Sequence, residues 1–190
     1  MKSPLAEHIR KFIALNEAEE KILLSRVNLL SLKKKEVILK EGQICNDNYF
    51  VAKGCLRLFF MNDKGIEQTT QFAIENWWMS DNMSFIDQRP STFYIQAVER
   101  SEIFSLNKKA QEQLFKELPQ LEKYFRIIFQ KAYATAQFRI KYLYNLSKED
   151  NYRFFASSYP EFVQRIPQYM LASYLNLTPE YLSEIRKKHS

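Results

Sequence analysis

Glycine is scarce in this 190-residue chain: Gly42, Gly54 and Gly65 are all it has. Three isolated glycines exclude a Gly-rich loop that cradles phosphates through its backbone amides. Sulfur and imidazole are scarcer still, at two cysteines, Cys45 and Cys55, and two histidines, His8 and His189. That is too little for a disulfide framework, a zinc site or an iron–sulfur cluster, so no metal and no cofactor is expected, and the cysteines read as half-buried strand residues. The histidines lie at opposite ends of the chain, which removes the His and carboxylate cluster that metal-dependent chemistry on a β-roll needs. With no nucleophile–base pair in view either, catalysis is not expected. No apolar run approaches the ~18 residues of a membrane span, and the start, Met1-Lys-Ser-Pro-Leu-Ala-Glu-His8, lacks the apolar core of a signal peptide. A cytoplasmic protein without membrane contact is the expectation.

What is present is an ordinary globular composition, 46% hydrophobic and 15% aromatic, enough for one large or two modest domains. The net charge of +6 favours a polyanionic partner. Between Lys123 and Arg153 seven Lys/Arg face only Glu149 and Asp150, so most of the excess sits just ahead of the C-terminal segment. Charge runs of this kind also occur as plain solvated helix faces.

Residues 4–30 read as helical, with Asn16 and Glu19 spaced as a capping box and Ile22, Leu23, Leu29 and Leu30 as an apolar stripe. From Lys33 the texture changes to short β-prone runs: Glu36–Lys40, Asn48–Ala52, Leu56–Met61, Glu67–Ala73, Phe93–Val98 and Glu102–Ser105. The three glycines fall at breaks between them, and Asn62-Asp-Lys-Gly65 reads as a hairpin turn. Lys108–Leu118 is then a short helix, and Pro119 is placed to open a long one. Along it, Leu121, Phe125, Ile128, Ala132, Thr135, Arg139, Tyr142 and Leu146 recur at 4-3 spacing, a heptad seam. A helix of about 28 residues, ~42 Å at 1.5 Å per residue, suits pairing with its copy in a homodimer, although the seam would equally serve packing on its own domain. A further helix, Glu149–Ser158, ends near Tyr159-Pro160.

The last segment, Arg165 to Ser190, organises the rest. Thr178 offers an N-cap oxygen, Pro179 suits the first helical position, and Asn176 tolerates the left-handed backbone of a sharp turn. Leu171, Leu175, Leu177, Leu182 and Ile185 can close a small core between two crossed helices, with Ala172 at the close approach. This is the pattern of a helix-turn-helix; an ordinary αα-hairpin is the blander alternative.

Taken together, a helical lead-in, a glycine-punctuated β-roll, a long helix and a C-terminal helix-turn-helix resemble the Crp/Fnr family of bacterial transcription regulators. In the first half the resemblance rests on Lys40-Glu-Gly42, Tyr49-Phe-Val-Ala-Lys-Gly54, Leu56-Arg-Leu-Phe59 and Asp63-Lys-Gly65, which look like strand and turn signatures of cyclic-nucleotide-binding domains. Glu75-Asn-Trp-Trp78 and Thr178-Pro-Glu-Tyr-Leu182 resemble versions found in Bacteroidetes. The resemblance implies an α+β fold in three parts: a sensor β-roll with flanking helices over 1–118, a dimerisation helix over 119–147, and a helix-turn-helix DNA-binding domain over 148–190 without a full wing. It implies double-stranded DNA with a near-palindromic site, a second copy of the chain and RNA polymerase as partners.

The family's nucleotide site carries a Gly-Glu pair and then an Arg that grips the cyclic phosphate. Here Ser80 and Asp81 replace the pair, Ser91 or Thr92 stands where Arg is expected, and Arg89 comes too early, so tight cyclic AMP binding is not expected. The effector region implied is Phe72, Met79, Ser80, Asp81, Asn82, Met83, Ser91 and Thr92, with Thr135 from the long helix. With Trp77, Trp78, Phe93 and Tyr94 it is aromatic enough for a hydrophobic effector, or simply for filling the roll. For DNA the resemblance points to Gln168, Tyr169, Thr178, Pro179, Glu180, Tyr181, Ser183 and Glu184 near the bases, with Arg186, Lys187 and Lys188 on phosphates. A ligand sensor whose helix-turn-helix serves protein interaction is the alternative.

Overall fold

The computed structural model describes residues 3–188, which form two compact units: 3–60 with 71–129, and 61–70 with 130–188. His189 lies outside the described residues, as does any wing that would follow there.

The first unit opens with α1 (Pro4–Arg10) and α2 (Glu17–Ser25). The capping box is formed as the sequence predicts: the Asn16 side chain accepts from the Glu19 amide at 2.9 Å, and the Glu19 carboxylate from the Asn16 amide at 2.8 Å. The expected helical stretch over 4–30 does not run unbroken, since residues 11–16 interrupt it, and its end is a strand, β1 (Asn28–Leu32). Leu29 and Leu30 are exposed on that strand and form no helical stripe.

Two antiparallel four-stranded sheets follow. One has the order β1-β8-β3-β6, built from β3 (Asp47–Lys53), β6 (Trp78–Met79) and β8 (Ser101–Asn107) beside β1. The other, β2-β7-β4-β5, contains β2 (Val37–Leu39), β4 (Leu56–Met61), β5 (Glu67–Ala73) and β7 (Tyr94–Ala97). Tyr49 anchors the register of the first sheet, facing Ser105 on one side and Met79 on the other; Leu58 faces Ile95 in the second. Cys45 and Cys55 are not half-buried strand residues: both are buried, and each lies just before a strand. Gly54 makes the turn between β3 and β4 at φ +101°, and a Cβ there would stand 2.3 Å from the Ser101 hydroxyl and 2.7 Å from its Cα. No other residue fits that approach.

Leu32, Leu39, Val51, Leu56, Met79, Phe85, Ile95 and Ile103 fill one buried cluster of this unit. A second cluster joins α1 to β3, to α4 (Lys108–Glu117) and to the start of α5 (Gln120–Asn145) through Leu5, Ile9, Phe50, Trp78, Leu114, Leu121, Tyr124 and Phe125. The Tyr124 hydroxyl sits between two side chains, accepting from the Trp78 indole N–H at 2.8 Å and bonded to His8 Nδ1 at 2.9 Å. Burial pushes the Tyr124 phenol well above the ordinary tyrosine range, so it stays protonated and can donate to the imidazole.

The second unit holds the hairpin tip 61–70, the rest of α5, and α6 (Lys148–Ser158), α7 (Pro160–Arg165), α8 (Gln168–Tyr174) and α9 (Pro179–Lys188). Gly65 closes the hairpin at φ +71°, with its amide on the Asn62 carbonyl at 2.8 Å. Tyr152, Phe155, Phe162, Ile166, Met170, Leu171, Ala172, Leu175, Leu177, Leu182 and Ile185 are its buried hydrophobic residues. α7 is missed by sequence reasoning, although Pro160 sits at its first turn as P-initiated helices require.

Candidate functional site

Two polar surfaces carry the residues singled out from sequence. The first is a buried network around α3 (Asn82–Asp87). Asp81 is its N-cap, accepting the Ser84 amide at 3.3 Å with one carboxylate oxygen and the Ser91 hydroxyl at 2.6 Å with the other. Ser84 donates its hydroxyl to the Arg89 carbonyl at 2.6 Å and accepts the Cys45 amide at 2.9 Å. Ser80 lies 3.3 Å from Cys45 Sγ and donates to the Asp47 carbonyl at 3.2 Å. Desolvation by burial raises the Cys45 thiol above its ordinary range, so it is held as an unreactive thiol. The guanidinium of Arg89 turns to Asp87 instead.

The structure therefore brings together Ser80, Asp81 and Ser91, all buried, with Met79 buried beside them in sequence. Phe72 is buried too, whereas Asn82 and Thr92 are exposed and Met83 is 60% exposed. Thr135 belongs to the other unit and donates its hydroxyl to the Lys131 carbonyl of its own helix at 3.0 Å. Cys45, Asp47 and Ser84, which complete the network, were not identified from sequence. Only an N-cap reading of Asp81 with Ser84 three residues on would have signalled one of them.

The second surface is made by α8 and α9. Asn176 takes the turn between them at φ +56°, and the Leu177 amide bonds the Ala172 carbonyl at 2.9 Å. Thr178 caps α9, its hydroxyl accepting the Tyr181 amide at 3.2 Å. Leu182 and Ile185 face the interior, which leaves Glu180, Ser183, Glu184 and Lys187 on the opposite, outward face by helical spacing. Together with Gln168, Tyr169 and Pro179 they line an open concavity of about 630 Å³. Arg186, Lys187 and Lys188 are exposed in the last turn of α9, where cations also suit the helix dipole.

The seam expected along α5 divides. Leu121 and Phe125 are buried in the first unit, and the partly buried Ile128 packs against the same core. Tyr142 lies with its ring 4.3 Å from that of Phe154, and Arg139 is hydrogen-bonded to backbone carbonyls of its own unit. Ala132 and Thr135 are exposed and Leu146 is partly so. Among the apolar side chains that face outward, which also include Phe138 and Tyr144, Phe129, Tyr133, Ile140 and Leu143 form one series with exposed Ala136 between them. They repeat the 4-3 spacing one residue later than the expected series, a rotation of about 100° around the helix.

Two antiparallel four-stranded sheets with flanking short helices make up the first unit, and the chain runs through one long helix into the helices of the second. Residues 29–117 match the family model of the cyclic nucleotide-binding domain. Among solved structures, the catabolite activator protein of Thermus thermophilus is similar over 98% of this chain and 86% of its own, at 21% identity and TM-score 0.59. The c-di-GMP-responsive global regulator CLP of Xanthomonas campestris is similar over 91% of both chains, at 15% identity and TM-score 0.70. A candidate Crp/Fnr-family transcriptional regulator from Eubacterium rectale is similar over 92% of this chain and 83% of its own, at 15% identity and TM-score 0.68. The shared feature is the fold. No curated protein matches the sequence. No helix among the described residues is long and apolar enough to cross a membrane.

Proposed function

We propose that this chain is a homodimeric, sequence-specific DNA-binding transcription regulator of Crp/Fnr type, with a sensor roll that has lost its cyclic-nucleotide chemistry. The observation that carries the reading is α8–α9: a helix pair with a left-handed asparagine turn and a capped second helix whose outward face is polar. Such a second helix enters the major groove with its first residues toward base edges. Thr178, Glu180, Ser183 and Glu184 are then the readers, Glu180 and Glu184 accepting from cytosine amino groups, while Arg186, Lys187 and Lys188 bind phosphates. RNA polymerase is the further partner at a promoter.

The dimer forms along Phe129, Tyr133, Ala136, Ile140 and Leu143, the outward stripe of α5, and sets the two reading helices one helical turn of DNA apart, about 34 Å. The Asp81 network supports the loss of nucleotide binding. A cyclic phosphate seated there would meet a carboxylate already hydrogen-bonded to Ser91 instead of a guanidinium. At about 4 Å and an effective dielectric of about 20 that repulsion is about 4 kcal/mol.

Fluorescence anisotropy of the purified protein on its own upstream intergenic duplex and on a scrambled duplex, at two salt concentrations and with or without cyclic AMP, tests the reading. Salt-sensitive binding that prefers the native duplex and ignores cyclic AMP is expected. Equal weak binding to both duplexes removes the regulator reading, and a response to cyclic AMP removes the degenerate pocket.

A further inference from the structure

Arg139, on the seam by sequence, does something else in the fold. Its Nη1 donates to the Thr70 carbonyl at 2.6 Å and its Nη2 to the Tyr174 carbonyl at 2.9 Å, while its plane lies 4.2 Å over the Tyr174 ring. One guanidinium thus bridges the hairpin segment 61–70 and the last residue of α8. Beside it the Ser173 hydroxyl donates to the Glu67 carbonyl at 2.8 Å and accepts the Thr69 amide at 2.8 Å, and the Gln68 side-chain amide donates to the Ser173 carbonyl. The final carbonyls of a helix have no partner within it, and here side chains from α5 and the hairpin take the last two of α8. A cation at a helix C-terminus is also favoured by the dipole. Phe155 completes the fixture from α6, its ring centroid 5.6 Å from that of Tyr174.

α8 is therefore gripped at one end and lines the open concavity with Gln168 and Tyr169 at the other. We infer that Arg139 is a positioning residue: its fork locks α8, and with it the outward face of α9, at a fixed angle to α5. The inference rests on the DNA-binding reading for its consequence. In a dimer joined along α5, the angle between α5 and the reading helices fixes which spacing of two half-sites both helices can reach at once. Arg139 thus selects half-site spacing without touching a base. β4 and β5 continue from the first unit into the hairpin.

The test uses full-length protein and duplexes it selects from a random-sequence library, each rebuilt as a single half-site and as a pair whose spacing is changed by about one or two base pairs. Wild type should lose about tenfold in affinity on the respaced pairs. Arg139→Met should bind the single half-site within about twofold of wild type yet lose most of that discrimination. Arg139→Lys should restore little of it, because an ammonium cannot serve two carbonyls as a planar fork does. Ser173→Ala, which removes two of the bonds and leaves Arg139 in place, should relax discrimination partway and guards against a methionine variant that fails to fold. Wild-type discrimination in Arg139→Met overturns the inference. If wild type binds no duplex above a scrambled control, the DNA reading fails separately. Hydrogen exchange at the Thr69 amide then decides the positioning role: exchange about tenfold faster in Arg139→Met supports it, and unchanged exchange overturns it.

Discussion

The two polar clusters of this protein differ in what they leave open. Around Asp81 both carboxylate oxygens, the hydroxyls of Ser80, Ser84 and Ser91, and the Cys45 amide are all buried and hydrogen-bonded to one another or to neighbouring backbone. Along α9 the carboxylates of Glu180 and Glu184 and the ammonium of Lys187 stand exposed on the rim of a concavity. Buried polar groups without partners are costly, so a cluster that has satisfied itself adds stability and rejects a competing ligand. A cluster that faces water adds almost nothing to stability and keeps its bonding capacity for a partner. On the proposed reading, the first cluster is structural and the second recognises the partner.

That assignment can be broken by substitution. Asp81→Ala should have the largest effect, about 2–3 kcal/mol of stability, because it deletes an N-cap and strands the buried Ser91 hydroxyl; urea unfolding measures it, and DNA affinity per folded molecule should not move. Glu184→Gln should leave the urea midpoint within about 0.5 kcal/mol while moving base preference at one position of the selected site from cytosine toward adenine, by about 1–3 kcal/mol of discrimination. A stability loss as large as that of Asp81→Ala would mean that the α9 face is structural after all. Lys187→Ala should be the mildest, weakening all duplexes alike and lowering the slope of log affinity against log salt by about one.

How far the sequence discloses this molecule depends on whether a local rule or a distant neighbour decides. The Asn16 and Glu19 box, the Asn62–Gly65 turn, the Asn176 turn and the Thr178 cap obey rules a few residues long, and all four are formed. β1 was hidden because Leu29 and Leu30 imitate a helical stripe; pairing with β8 makes them strand residues, and that partner lies over seventy positions away. The exposed 4-3 series on α5 falls one residue later than the expected seam for a similar reason. Ile128 and Phe129, Ala132 and Tyr133, Tyr142 and Leu143 offer two interleaved apolar series with the same spacing. The choice falls to contacts no period contains: the first unit's core takes Ile128, Phe154 takes Tyr142, and two backbone carbonyls take Arg139. Of the candidate sites, residue types at α8–α9 were readable from the turn and cap, but the network around Asp81 is closed by Cys45 and Asp47, which lie more than thirty residues earlier in the chain.

One consequence remains in the adjacent pair Trp77 and Trp78, the only tryptophans of the chain. Trp78 is 9% exposed, its indole fixed on Tyr124 and its ring 5.1 Å from Phe125, while Trp77 is 39% exposed. Two neighbouring fluorophores thus sit in opposite solvents, one emitting from a dry aromatic interior and one beside water. An aqueous quencher such as iodide reaches Trp77 alone, so the quenched and unquenched parts of a single emission spectrum separate events at the surface of the roll from the moment α5 leaves its core.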